Sequence, residues 1–215
     1  MQRRKFIVGL ASLTAGASAA VGTGAFSNAT IPDRAVTVNV ETDDNATIAL
    51  VPGADPDISL VNGQLAMDLT GSNGEGVNIN SLYTWGDHTD PANDYAFKIV
   101  NNDESEYDDV VFKYELDDDS WVDNATTYDN ESFIKFSVYS PPQPNGYWGF
   151  MKCPNNQLAT PNPVSRNMPT SGPVDFTPGQ VLYVVIDVDT TGVDATVADD
   201  LSGKLSIEVS GIGGN

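Results

Sequence analysis

His88 is the one histidine in the chain, and it decides which hydrolytic chemistries the sequence can support. A zinc-protease helix of the H-E-x-x-H kind needs two histidines one turn apart. A Ser-His-Asp triad would have to use His88 with no G-x-S-x-G elbow to present its serine. The surrounding "WGDHTDP" offers Asp87 and Asp90 as metal co-ligands, yet the segment reads as a polar loop that happens to contain a histidine. "DVDTTG" places Asp187, Asp189 and Gly192 at positions 1, 3 and 6 of a calcium loop. Thr191 then stands at position 5 and Ala198 at position 12, where a bidentate Glu is required, so the segment reads as a turn after a strand. Asp117, Asp118 and Asp119 read as a solvated acidic turn. The 30 acidic residues supply many carboxylate pairs and single out none for glycoside hydrolysis. Cys153, the only cysteine, excludes an intramolecular disulfide and reads as a packed thiol. The expectation is no catalytic activity, no cofactor and no metal site.

The remaining candidates concern binding and modification. Tyr147, Trp148 and Phe150 in "YWGF" could form an aromatic platform for sugars, although pinning a long loop to the core is the stronger reading of such a patch. Asn28, Asn45, Asn124 and Asn130 each head an N-x-S/T triplet and are candidate glycan acceptors on an exported chain.

The elements that must position these residues are strands. "ATIALV", "YAFKIVN", "DVVFKYEL", "FIKFSVY", "VLYVVIDV" and "KLSIEVS" alternate or run apolar between turn residues, and a period of 3.6 is almost nowhere found. Tyr95, Phe97 and Ile99 fall on one face, as do Val110, Phe112, Tyr114 and Leu116, and the two segments are expected to pair antiparallel across "NNDESEYD". Val181 to Ile186, apolar on both sides, is expected to be central in its sheet. "DATVADDLS" is the one weak helical candidate, at most two turns. The expected fold is all-β, a two-sheet antiparallel sandwich. Nine of the thirteen prolines lie between Tyr139 and Val181, so residues 140–178 are expected to form a long proline-rich excursion over an edge or end of the sandwich.

Before the strands comes "RRKFIVGLASLTAGASAAVGTGAF", in which Arg3, Arg4 and Lys5 precede an uncharged run. Its length would suit a membrane span. Its strongly apolar residues cluster at Phe6 to Leu10, and small residues fill the rest, which favours a twin-arginine-type export signal over residues 1–25, removed after Ala25 or Ala20. An uncleaved anchor is the alternative. Removal would shift the net charge from -20 to -23, because three basic residues and no acid leave. So acidic a surface should repel nucleic acid and anionic lipid, and the mature chain is expected to bind neither. Asp in excess over Glu, only six lysines, and acids spread along the chain are the pattern of a protein adapted to molar salt, where screening shortens to ~3 Å.

"VGTGAFS", the "AVTVNV" strand that follows it, "YAFKIVNN", "VVFKYEL" and "FTPGQVLYVVIDVDTTG" resemble secreted haloarchaeal proteins related to the TasA and camelysin family. The resemblance covers the first 50 residues and about 95–116 and 175–209. It implies a jelly-roll-like sandwich and assembly of identical subunits into extracellular fibres or pili, the N-terminal strand of one completing the sheet of the next. Within residues 26–42, a tail followed by alternating Val36, Val38 and Val40 suits such donation to the 43–215 domain of another copy. The metalloprotease label attached to camelysin relatives gains nothing from one histidine. The expected function is a structural subunit of a surface filament, pilus or biofilm matrix, a homo-oligomer outside the cell. A monomeric cell-surface module holding glycans through Tyr147, Trp148 and Phe150 is the alternative.

Overall fold

Alternating apolar and polar residues, rich in Val, Ile, Phe and Tyr, become strands wherever one of their two faces can be buried. The computed structural model describes residues 42–70, 76–122, 131–140, 146–154, 164–168 and 175–213, with the backbone alone at 164–168, 212 and 213. Eleven strands form among the described residues: β1 (Ile48–Pro52), β2 (Ile58–Val61), β3 (Gln64–Met67), β4 (Leu82–Trp85), β5 (Phe97–Asn101), β6 (Glu106–Leu116), β7 (Phe133–Tyr139), β8 (Tyr147–Cys153), β9 (Val164–Met168), β10 (Val181–Asp189) and β11 (Gly203–Gly213). All pairings are antiparallel.

A larger sheet runs β1-β5-β10-β7-β8, and β4 continues the β5 flank of β10 beyond Val184. A smaller sheet runs β11-β6-β9, and β2 with β3 forms a separate hairpin. The two larger sheets share one core. Phe97, Ile99, Phe136, Leu182, Val184 and Ile186 from the first meet Val110, Phe112 and Tyr114 from the second. The Tyr114 and Phe136 rings lie 5.4 Å apart between the sheets. Each such side chain contributes about 1.5–3 kcal/mol on leaving water, so this layer holds the fold together. The arrangement is sandwich-like and all-β, and β10 is central in its sheet, as its doubly apolar sequence requires.

Four details depart from the sequence reading. β5 and β6 do not pair, because the chain changes sheets between them. Asn101, fully buried at the end of β5, donates from Nδ2 to the carbonyls of Ser105 and Phe176 and accepts the Asp103 N–H at Oδ1, which turns the chain out of the first sheet. Tyr95 leaves the face of Phe97 and Ile99 and packs on Tyr183 at 5.2 Å, away from the core. "DATVADDLS" is not helical. The Asp199 carboxylate accepts from the Thr196 N–H and hydroxyl and from Ser132, so side chains meet the backbone needs that a helix would otherwise meet, and Val197 is left exposed. The 140–178 stretch is also more than an excursion, since β8 extends the larger sheet and β9 the smaller one.

Candidate functional site

β11 carries the first candidate site. Its inward residues Leu205, Ile207 and Val209 pack against the core yet stay only half-buried, while Lys204, Ser206 and Glu208 face solvent. β6 covers one flank of the strand over ten residue pairs, from Gly203↔Leu116 to Gly213↔Glu106. Among the described residues no strand pairs with the other flank. Long open edges of this kind present a row of backbone donors and acceptors to any extended chain. Beside this edge lies a groove of about 720 Å³. Leu65 and Met67 of β3, Tyr114 of β6, Ile134 of β7, Val188 of β10 and Leu205 of β11 line it. It therefore opens the core toward solvent between the smaller sheet and the β2–β3 hairpin. Ile79 and Val197 at its rim are 48% and 92% exposed, an apolar margin that nothing among the described residues covers.

The described chain begins next to this groove. The Asp43 N–H donates to the Gly63 carbonyl at the β2–β3 turn, and the Asp43 carboxylate accepts the Leu65 N–H at 2.7 Å. These bonds fix Asp43 against the start of β3.

The outer face of the larger sheet carries the second candidate. Asp187 on β10 is buried and accepts from Thr84 Oγ1 at 2.9 Å, Lys135 Nζ at 3.2 Å and His88 Nε2 at 2.9 Å. His88 Nδ1 lies 2.6 Å from the Tyr139 hydroxyl. Nε2–H donates to the carboxylate, and Nδ1 shares the second hydrogen bond with the phenol, accepting when the ring is neutral and donating when it is charged. Burial acts to raise the Asp187 pKa. The hydrogen bonds from His88 and Thr84, with the charges of His88 and Lys135, outweigh it, and the carboxyl sits below its ordinary value. Burial first, then Tyr147 and Asp187, push the Tyr139 hydroxyl up to about 12. The Asp187–His88–Tyr139 chain of hydrogen bonds ties the loop before β5 onto the sheet.

Most sequence-derived candidates fall elsewhere. Arg3, Arg4, Ala20, Ala25, Asn28, Val36, Val38, Val40, Asn124 and Asn130 lie outside the described residues. Asn45 is exposed in a short 3-10 turn, where it donates to Thr42 Oγ1. The three aromatics of "YWGF" do not share one exposed face. A register shift in the β7–β8 ladder inserts Trp148 as an extra residue between the pairs Gly149↔Val138 and Tyr147↔Tyr139. Trp148 is thereby turned into the core, with Tyr147 48% exposed and Phe150 half-buried. Asp87 and Asp90 cap Thr89 and Asn93 and do not converge on His88. Asp187 belongs to a strand and Asp189 caps Thr191, so "DVDTTG" does not close round an ion. Burial pushes the Cys153 thiol up to about 12, the value of a packed thiol. The open flank of β11 and the His88 cluster were not foreseen. Alternation marks Leu205, Ile207 and Val209 as core-facing without saying that β11 ends a sheet, and the partners of His88 lie 51 and 99 residues away. No family model matches the chain, and no curated protein is significantly similar to it.

Proposed function

We propose that the chain is a structural subunit of an extracellular filament, pilus or biofilm matrix, assembled by donation of its N-terminal strand to the β11 edge of a neighbouring copy. The observation that carries this reading is the eleven-residue β11, half-covered and, among the described residues, open on one flank, beside a groove with both apolar and polar walls. The alternation of Val36, Val38 and Val40 matches what the groove would take, three apolar side chains on one face of an extended strand. The resemblance to TasA- and camelysin-related proteins supports the same reading, and the jelly-roll-like topology is part of this proposal.

The magnitudes say what donation must accomplish. Burying three valines contributes about 1.5–3 kcal/mol each. Ordering the backbone costs about 1–2 kcal/mol for each residue fixed. The valines alone therefore leave a deficit over a seven-residue strand. The donated strand must also cover Leu205, Ile207 and Val209 and satisfy the β11 backbone. A contact between two different surfaces of identical subunits does not close, so it propagates into a filament. Deleting residues 26–41 should give a folded protein that sediments as a single species in molar salt. Fibres of unchanged length after that deletion would sink the reading.

A further inference from the structure

The outer face of the larger sheet holds a row of side chains that strand donation does not use. Register places Lys98 of β5 opposite Tyr183 of β10, Tyr183 opposite Tyr139 of β7, and Tyr139 opposite Tyr147 of β8. Four adjacent strands span about 14 Å from Lys98 to Tyr147 at the usual spacing of a sheet. Tyr95 thickens the row at one end, 5.2 Å from Tyr183 and beneath the Lys98 ammonium, which lies 5.6 Å from its ring centre. Tyr139 supports the other end, its ring 5.4 Å from Tyr147 and its hydroxyl on His88. The accessible surface is thus Lys98, Tyr95, Tyr183, the His88 ring and Tyr147.

We infer that this row binds an acidic oligosaccharide, with sugar rings stacked along Tyr183, Tyr95 and Tyr147 and a carboxylate on Lys98. Aromatic faces carry a negative quadrupole that attracts the C–H edges of a sugar, and tyrosine adds a polar tip for hydroxyl groups. Tyr183 and Tyr147, the accessible tyrosines of the row, lie two strands apart, about 10 Å, close to the length of two sugar residues. Charge decides between acidic and neutral sugars. Lys98 has no carboxylate within ion-pair reach among the described residues, whereas Lys113, Lys135 and Lys204 each have one, in a chain of net charge -20. In molar salt only a contact partner of Lys98 would feel its charge, so the excess of acids elsewhere does not repel the ligand. An acidic peptide fits less well. Extended peptides bind by adding to a sheet edge, and this row crosses the middle of a sheet face. The buried Trp148 takes no part. The inference stands apart from strand donation, and failure of either leaves the other intact.

Titration calorimetry of the full chain with a trimer of galacturonate, and with maltotriose as the neutral comparison, tests it. The acidic trimer should bind saturably and at least tenfold more tightly than the neutral one. Lys98→Glu and Tyr147→Ala should each weaken it at least tenfold, while Lys113→Gln on the other sheet leaves it unchanged. No saturable binding, equal affinity for the two trimers, an equal loss in Lys113→Gln, or tighter binding of an oligo-aspartate peptide would each overturn the inference. Retention of the thermal unfolding midpoint in Lys98→Glu, a half-buried position, separates lost binding from lost folding.

Discussion

The two sheets treat their outer faces differently. On the larger one, Val185, Ser137, Asp187 and Tyr139 point away from the core and are still buried. On the smaller one, Glu115, Lys204, Ser206 and Glu208 are exposed and polar. The first sheet is buried on its outer face around Val185 and Asp187, where a buried carboxylate with three donors stiffens it. The second, among the described residues, is covered on one face only and keeps an open edge. The proposed strand donation would use both, a rigid support and an unfinished sheet, and among the described residues these are separate structures.

That contrast can be broken most severely at Val185. Val185→Asp would bury an unpaired charge and should cost about 3–5 kcal/mol. Ser206→Asp, on the outer face of β11 opposite Lys113, should stay within about 0.5 kcal/mol. Urea unfolding of the two variants compares the faces directly, and equal losses would erase the distinction.

Asp187 sharpens it next. Asp187→Asn should destabilise by about 2 kcal/mol, less than a fully buried pair because His88 and Lys135 are partly exposed. The depressed Asp187 carboxyl contributes stability that is fully present above its unfolded pKa of about 3.9 and is lost as pH falls through its lower folded value. Wild-type stability should therefore fall more steeply below about pH 4 than that of Asp187→Asn. Parallel curves would remove Asp187 from the account.

Leu205→Ala should have a small effect on the subunit itself, about 1 kcal/mol, because the side chain is half-exposed to begin with. Assembly should suffer far more than folding, read as fibre mass by sedimentation. A variant that loses stability but assembles normally would place the acceptor elsewhere.

Much of the architecture was legible because alternation is a direct consequence of burying one face. Val110, Phe112, Tyr114 and Leu116 identified their own face, and the doubly apolar Val181 to Ile186 identified a central strand. What escaped depended on partners distant in sequence. Asn101 redirects the chain through the Phe176 carbonyl, 75 residues on. A single extra residue at Trp148 reverses which way the ring points, and no hydrophobic period records a bulge. The edge position of β11 was equally hidden, since the same alternation serves an edge strand and an inner one.

The most direct test of strand donation mixes two preparations that differ only in where a thiol is placed. One carries Val38→Cys and the other Ile207→Cys, each with its own affinity tag, and a short thiol crosslinker is added after assembly in molar salt. The account predicts crosslinked pairs containing both tags, and no link within one chain when both substitutions are put on the same diluted subunit. Links confined to the doubly substituted chain, with none between the two preparations, would mean that the strand folds back on its own β11 and would contradict the account.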